Sequence, residues 1–138
     1  MNKPSAILDT GPLVALLYAR DSHHEWAKAQ FQQFPAPFVT CEPVLTETAF
    51  LLAKLPGGTK AFFDFLGSGI LINGLSVLEE EAALRKLALK YASVPMSLAD
   101  ACLVRLSEKF PLLPVLTVDS DFRIYRRNGR QHVPAVCP

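Results

Sequence analysis

Short apolar runs alternate with longer amphipathic segments along most of the chain. The runs that predict buried strands are SAILD, FVTCE, ILING, VLTVD and VPAVC. The segments with apolar residues at helical spacing are PLVALLYAR, HHEWAKAQFQQF, PVLTETAFLLAKL, TKAFFDFLG, VLEEEAALRKLALKYA and LADACLVRLSEKF, and a short helical segment is expected after VLTVD. Buried strands that alternate with helices are typical of a parallel sheet covered on both faces. We therefore predict an α/β fold, a three-layer α/β/α sandwich with a central, mainly parallel sheet of about five strands.

Local signals mark where several of these helices begin. Pro12 and Pro43 suit the first position of a helix, where a missing N–H costs nothing. Three pairs spaced as Ser-x-x-acid predict capping boxes, at Ser22 with Glu25, Ser76 with Glu79 and Ser97 with Asp100. The chain contains no repeat, low-complexity tract or linker, so we expect residues 1–138 to form one domain.

Composition favours a soluble protein of a reducing compartment. A chain of 138 residues, 50% of them hydrophobic, can bury a core without disulfide or metal support. Cys41, Cys102 and Cys137 are odd in number and far apart, so neither a disulfide framework nor a zinc site is indicated. No apolar run is long enough to span a membrane, and Asp9 interrupts the early apolar stretch. We expect a cytoplasmic protein that does not associate with membranes.

The net charge of +1 conceals a basic cluster near the end of the chain. Its members are Arg123, Arg126, Arg127 and Arg130, with Asp121 as the one acid among them. Such a cluster can bind a polyanion, and a solvated surface is the alternative.

Asp9, Thr10 and Gly11 form the tripeptide that marks an aspartic protease when it ends a β-strand. In this sequence the residues that follow predict a helix, whereas the protease site continues in β-structure. The α/β pattern therefore excludes that protease class, and Thr10-Gly11 is better explained as a turn from strand to helix.

Four acids are predicted to meet at one edge of the sheet. Asp9 and Asp119 end the first strand and the strand VLTVD. Glu47 and Asp100 lie near the starts of their helices. Ligands collect at the carboxyl ends of parallel strands, and clustered carboxylates need cations to offset their repulsion. Each acid also has an ordinary alternative as a cap, a turn residue or an exposed helix position, but the helices that carry Glu47 and Asp100 are strongly apolar.

Four motifs, ILDTGPLVALL, VLTETAFLLA, SLADACLVRLSE and LTVDSDF, resemble the PIN domain nucleases in order and spacing. The resemblance implies that Asp9, Glu47, Asp100 and Asp119 form an acidic quartet that binds Mg²⁺ or Mn²⁺ and cuts single-stranded or structured RNA. It also implies that Thr10 and Thr117 support the pocket. Asp121 stands where the family often has a further acid, which leaves open whether Asp119 or Asp121 faces the metal.

The compact size is similar to the toxin subunits of VapBC-type toxin–antitoxin pairs. That likeness implies a homodimer inhibited by a cognate antitoxin. The high apolar content of PLVALLYAR and TKAFFDFLGSG also favours association.

Oxygen ligands suit Mg²⁺ or Mn²⁺, whereas the adjacent His23 and His24 point to different helix faces and cannot form one zinc site. We expect a metal held mainly by Asp9 and Asp100 to activate water, with a second cation near Asp119 or Glu47. The products would be 5′-phosphate and 3′-hydroxyl ends. The arginine cluster would hold flanking phosphates without reading bases.

Two other functions share features with this sequence. A receiver-type signalling domain also has an acidic Mg²⁺ pocket, but it needs paired acids after the first strand and a late Lys, and no Lys follows Lys109. A catalytically silent PIN domain that binds RNA or protein remains the alternative.

Overall fold

The computed structural model describes residues 3–138 and contains seven strands in that range. They are β1 (Ile7–Leu8), β2 (Phe38–Thr40), β3 (Leu71–Asn73), β4 (Val115–Leu116), β5 (Arg126–Arg127), β6 (Gln131–His132) and β7 (Ala135–Val136). Five of them form one sheet in the order β3-β2-β1-β4-β7, and every neighbouring pair is parallel. The remaining two, β5 and β6, form a separate antiparallel hairpin.

Six α-helices cover this sheet. They are α1 (Thr10–Leu17), α2 (His24–Gln33), α3 (Glu42–Ala53), α4 (Gly58–Leu66), α5 (Glu81–Lys90) and α6 (Leu98–Lys109), and a 3₁₀ turn spans Ser120–Arg123. The first four helices pack against one another, and α5 packs against α6. The predicted three-layer α/β/α architecture is confirmed.

The strand order reverses between β1 and β4. From β1 the chain proceeds to β2 and β3 on one side and then returns to β4 on the other side, where Ile7 lies opposite Val115 and Leu8 opposite Leu116. In an open parallel sheet the loops diverge at such a point and leave a crevice at the carboxyl ends of the strands. The residues after β1 and β4 therefore border one crevice.

The core is formed by the central strands and α6. The side chains of β1 and β4 are fully buried, as are Cys102, Leu103, Val104 and Leu106 of α6. Burial on this scale fixes α6 against the sheet, because each large apolar side chain removed from water contributes about 1.5–3 kcal/mol. The start of α6 is consequently held at a defined place beside the crevice.

Some predicted helix starts were wrong. Helix α1 begins at Thr10 with Asp9 as its N-cap, so Pro12 is its third residue and not its first. The Ser22 side chain does not cap α2, and Asp21 instead accepts a hydrogen bond from the His23 N–H at 2.9 Å. These residues form a turn, and an Asx turn of this kind competes with a capping box.

The second predicted capping box was also wrong. Ser76 Oγ accepts from the Glu79 N–H at 3.4 Å, but α5 begins only at Glu81. Glu80 is held by Arg105 and Lys109, which both lie on α6. This ion pairing between helices cannot be seen in the local sequence. The third box, Ser97 with Asp100, is confirmed.

The β5–β6 hairpin was not predicted. Its turn contains Asn128 at φ 51° and Gly129 at φ 84°. Asn and Gly are the residues that adopt this left-handed conformation most easily, so the dipeptide was the available signal.

The structure also describes the cysteines and the helix lengths. Cys41, Cys102 and Cys137 are all free thiols, and the first two are buried. Across residues 3–138, none of the helices has both the length and the apolar character needed to cross a membrane.

Candidate active site

A cavity of about 540 Å³ opens at the crevice between β1 and β4. Five carboxylate side chains line it, those of Asp9, Glu47, Asp100, Asp119 and Asp121. The structure therefore brings all four predicted acids to one cavity, together with the further acid Asp121.

Asp9 joins the ends of the two central strands. As the N-cap of α1 it accepts a hydrogen bond from the Thr10 N–H on Oδ1 at 2.7 Å. On Oδ2 it accepts a hydrogen bond from the Thr117 hydroxyl at 2.7 Å. The side chain is only 7% exposed, so these bonds fix the carboxylate at the base of the cavity.

Burial raises the pKa of Asp9 from 3.8 to about 6. The hydrogen bonds from Thr117 and Thr10 oppose this change, and the nearby charges of Asp100 and Glu47 add to it. Carboxylates whose pKa is raised by burial and by like charges are common at functional sites. A cation bound beside such a carboxylate lowers its pKa again and restores the ionised form.

Asp100 is held by one of its two carboxylate oxygens. Oδ2 accepts the Ser97 N–H at 3.2 Å, which completes the capping box, and it also accepts the Tyr125 hydroxyl at 3.1 Å. Burial raises the pKa of Asp100, and the charge of Asp119 adds to the effect. The capping role and the cavity role are thus compatible in one side chain.

Tyr125 is a site residue that the sequence did not reveal. Its ring is fully buried and packs edge to face against Tyr91 and Phe122, with centroids 5.1 and 5.2 Å away. Burial raises the pKa of the Tyr125 hydroxyl, and the charge of Asp100 contributes. The residues around Tyr125 are mostly arginines, so no local pattern indicated that this tyrosine is buried and needs a hydrogen-bond partner.

Thr117 connects Asp9 to the other side of the crevice. Its hydroxyl donates to Asp9 and accepts the Asp119 N–H at 2.9 Å. Asp119 then caps the 3₁₀ turn, accepting the Asp121 N–H on Oδ1 at 2.9 Å. Asp119 and Asp121 both line the cavity, so the choice between them as the metal-facing acid stays open.

Thr10 and Gly11 form the edge of the cavity beside Asp9. Thr10 Oγ1 is buried, and it has no hydrogen-bond partner within residues 3–138. A Cβ atom on Gly11 would lie 2.2 Å from Cγ2 of Val118. This close approach explains the glycine of the Asp-Thr-Gly sequence, because any side chain there would displace the segment that leads to Asp119.

Glu47 is exposed on α3 at the mouth of the cavity. It also borders a wider neighbouring cavity of about 740 Å³, whose apolar lining includes Pro43, Phe50 and Leu98. Glu47 is thus the acid most accessible to a ligand that approaches from this side.

The donor atoms suit a hard divalent cation. The cavity presents carboxylate and hydroxyl oxygens, which Mg²⁺ and Mn²⁺ prefer over nitrogen and sulfur. Within the described part of the chain, however, no group of three or more His, Cys, Asp or Glu side chains is already arranged to hold a metal ion. Like charges repel without a cation between them, so a modest inward movement of these side chains is expected on binding.

The arginine cluster lies outside this cavity. Of its members, Arg123 and Arg130 are exposed. Arg126 donates through one guanidinium nitrogen to the carbonyls of Arg123, Ile124 and Tyr125 at 2.8–3.1 Å. Arg127 donates to the carbonyls of Ser107 and Pro111 at 2.6 and 3.3 Å. Two of the four arginines are therefore already engaged within the fold.

Comparison with known proteins agrees with this fold. The chain is similar to the crystal structure of VapC20 from Mycobacterium tuberculosis, a toxin that cleaves the sarcin–ricin loop, with a TM-score of 0.72 and 24% sequence identity. The match covers 85% of this chain and 92% of that chain, and at this identity it establishes the fold alone. No curated protein matches the chain in sequence. The model of the PIN domain family matches residues 6–128, and the chain therefore belongs to the PIN domain family.

Proposed function

We propose that this PIN domain is a metal-dependent endoribonuclease that hydrolyses phosphodiester bonds of single-stranded or structured RNA. The observation that carries the proposal is the cavity at the β1–β4 crevice, where Asp9, Glu47, Asp100 and Asp119 converge and the pKa of Asp9 is raised to about 6. Membership of the PIN domain family supports it further.

In this proposal Asp9 and Asp100 are the principal ligands of Mg²⁺ or Mn²⁺, with Asp119 and Glu47 as further ligands. A bound divalent cation would neutralise the phosphate and make a bound water more acidic. Thr117 and the Thr10 N–H orient Asp9, while Ser97 and Tyr125 orient Asp100. Each orienting bond holds a carboxylate in place before substrate arrives, which reduces the reorganisation that the reaction needs.

The products identify the reaction. Attack of water on phosphorus, opposite the departing 3′ oxygen, would leave 5′-phosphate and 3′-hydroxyl ends. This route does not use the 2′-hydroxyl of RNA as the nucleophile. The arginines Arg123, Arg126, Arg127 and Arg130 are proposed to contact flanking phosphates, and the exposure of Arg123 and Arg130 favours those two.

We further propose that the chain is a VapC-like toxin of the cytoplasm that forms a homodimer and is inhibited by an antitoxin. The similar structure of VapC20, a toxin that cleaves the sarcin–ricin loop, supports the toxin assignment. Exposed apolar side chains support association, including Phe50 at 62% and Phe63 at 59% exposure.

The test is cleavage of end-labelled single-stranded RNA by the purified chain, with Mn²⁺, with Mg²⁺ and with EDTA. We expect cleavage only with metal, 5′-phosphate ends on the products, and cleavage of a substrate that carries a single 2′-deoxy substitution at the cut. Products with 2′,3′-cyclic phosphate ends, or cleavage in EDTA, would contradict the mechanism.

The catalytically silent PIN domain is the alternative, since a complete set of acids shows capacity and not rate. It predicts RNA binding without cleavage at any metal concentration. Binding and cleavage of the same oligonucleotide should therefore be measured together.

A further inference from the structure

A second cavity, of about 250 Å³, lies between α5, the end of α6 and the β5–β6 hairpin. Its polar lining consists of Lys86 and Lys90 from α5, Glu108 from α6, and Arg126 and Asn128 from the hairpin. It is separate from the acidic cavity, with which it shares no lining residue.

The charge of this cavity is positive. Three cationic side chains, Lys86, Lys90 and Arg126, face one acid, Glu108. Both oxygens of Glu108 are already engaged, because Oε1 accepts from Arg105 at 3.1 Å and Oε2 accepts the Asn128 N–H at 2.7 Å. The pairing with Arg105 leaves the three cations of the cavity without a matching acid, which favours an anionic ligand.

The cavity is also built before any ligand arrives. Lys90 Nζ donates to the Gly129 carbonyl at 2.9 Å and lies 5.3 Å from the centre of the Tyr91 ring. Arg126 is held by its bonds to carbonyls of the 3₁₀ turn and the residues that follow it. A cation that is already fixed loses less side-chain entropy on binding than a free surface lysine does.

The second cavity is connected to the acidic one through two tyrosines. The Arg126 N–H donates to the Tyr91 hydroxyl at 2.8 Å, Tyr91 packs on Tyr125, and Tyr125 donates to Asp100. Along α6, Asp100 and Glu108 are eight residues apart, which corresponds to roughly 12 Å along the helix axis. A short stretch of a single strand can span that distance.

We propose that this basic cavity binds a phosphate group and that, in the ribonuclease proposed above, the phosphate belongs to the same RNA strand that is cut at the acidic cavity. The inference rests on the proposed function for the source of the phosphate, but not for the existence of the site. Lys86 and Lys90 supply the charge, and the hairpin closes the cavity.

The test compares the double variant Lys86→Gln/Lys90→Gln with the matched variant Lys28→Gln/Lys60→Gln. Both double variants lose two positive charges. Lys28 lies on α2 and Lys60 on α4, where they form surface pairs with Glu25 and Asp64. Binding of labelled single-stranded RNA is measured in EDTA across a range of salt concentrations, so that no cleavage occurs.

We expect the cavity variant to bind RNA of any sequence more weakly and with a flatter salt dependence. For each phosphate contact that is lost, the slope of log affinity against log salt concentration should become flatter by about 0.7. Between 1 M and 0.1 M salt, one such contact is worth about fivefold in affinity, and the variant loses that gain. The matched variant should lose less of both. Equal RNA binding by the two double variants would overturn the assignment to RNA.

A second arm uses pyrophosphate as the probe and follows the backbone amide NMR signals of Asn128 and Gly129. Shifts in the wild type that vanish in the cavity variant support the phosphate site even if the wild type fails to bind RNA, and they then identify a free phosphate compound as the ligand. No shift in the wild type, together with unchanged RNA binding by the cavity variant, would overturn the site itself. Failure of the proposed function alone would instead appear as an absence of RNA binding or cleavage with the pyrophosphate response intact.

Discussion

Three acids of the cavity serve the fold and face the cavity at the same time. Asp9 caps α1, Asp100 completes the capping box of α6, and Asp119 caps the 3₁₀ turn. Each cap places a carboxylate beside unpaired backbone N–H groups, where negative charge is favoured. The ordinary alternatives of Asp100 as a capping-box partner and of Asp119 as a turn residue are therefore correct, and they do not exclude a second role.

The first prediction concerns the stability of Asp9→Asn without metal. The pKa of Asp9 is about 6 in the folded chain, whereas the ordinary value for an aspartate, which applies to the unfolded chain, is 3.8. Folding therefore favours the protonated form. Stability from this group is full below pH 3.8 and is lost as the pH rises through 6. Above pH 7 the ionised side chain costs about 3 kcal/mol, and Asp9→Asn should recover much of it.

Urea unfolding in EDTA at pH 4 and pH 8 measures this effect. The gain of Asp9→Asn over the wild type should be large at pH 8 and small at pH 4. Asp64→Asn is the control, because Asp64 lies on the surface beside Lys60. A gain at pH 8 that is equal in both variants would contradict the assignment of the effect to burial of Asp9.

The second prediction assigns Tyr125 a positioning role through Asp100. Tyr125→Phe removes the hydroxyl that donates to Asp100 Oδ2 and keeps the buried ring. Loss of a bond that orients a metal ligand typically lowers metal affinity by about 10- to 100-fold. We expect weaker Mn²⁺ binding, which titration calorimetry would detect.

Tyr91→Phe is the matched control for Tyr125→Phe. The Tyr91 hydroxyl accepts the Arg126 N–H and does not contact an acid of the cavity. Both variants lose one partly buried hydrogen bond, so both should lose some stability. If they bind Mn²⁺ equally well, Tyr125 has only a structural role.

At the scale of elements, α6 and the β5–β6 hairpin depend on one another. Arg127 of β5 donates to the carbonyls of Ser107, in the last turn of α6, and of Pro111, just after the helix, and the Asn128 N–H donates to the Glu108 carboxylate. The bond to Ser107 satisfies one of the carbonyls that a helix end leaves without partners. The hairpin thus holds the far end of the helix whose first turn carries Asp100.

The third prediction distinguishes Arg127, which is hydrogen-bonded within the fold, from Arg123, which is exposed. Arg127→Gln should lower stability by about 1–3 kcal/mol, because it removes a charged donor from two carbonyls. Arg123→Gln changes an exposed side chain and should leave stability nearly unchanged while weakening RNA binding. Thermal unfolding and RNA titration distinguish the two. An unchanged melting temperature for Arg127→Gln, with RNA affinity reduced as in Arg123→Gln, would show that Arg127 acts on RNA instead.

The sheet and the convergence of the acids could be predicted because their signals are local. Apolar runs located the five parallel strands, and the carboxyl ends of β1 and β4 placed Asp9 and Asp119 together. Helix starts failed where a competing bond was stronger, as at Asp21, or where a distant partner decided, as for Glu80 with Arg105. The contact of Tyr125 with Asp100 spans 25 residues, so no local pattern could reveal it.

At the scale of the whole molecule, apolar exposure is unevenly distributed. The apolar content of α1 lies largely in the core, where Pro12, Leu13 and Ala15 are buried, so this helix contributes less surface than its sequence indicated. Helix α4 differs, since Phe62 is buried and Phe63 is 59% exposed. The support for a homodimer therefore comes from α4 and from Phe50 of α3.

The fourth prediction tests that surface. The chain should be a dimer by light scattering, and Phe63→Glu should shift it toward monomer because a buried charge without a partner opposes association. Leu112→Glu is the control, since Leu112 is 94% exposed and lies after α6. Equal masses for both variants would show that the interface does not involve α4. A monomeric wild type would contradict the proposed homodimer.

The central claim is that the carboxylates of the β1–β4 crevice bind the metal that RNA cleavage requires. The most direct test is Mn²⁺ titration of the wild type, Asp9→Asn, Asp100→Asn and the surface control Asp64→Asn, with RNA cleavage measured on the same samples. We predict that the two cavity variants bind Mn²⁺ at least about tenfold more weakly and lose cleavage, while the control matches the wild type in both. Cavity variants that bind Mn²⁺ as tightly as the wild type, or that still cleave RNA at its rate, would contradict the account.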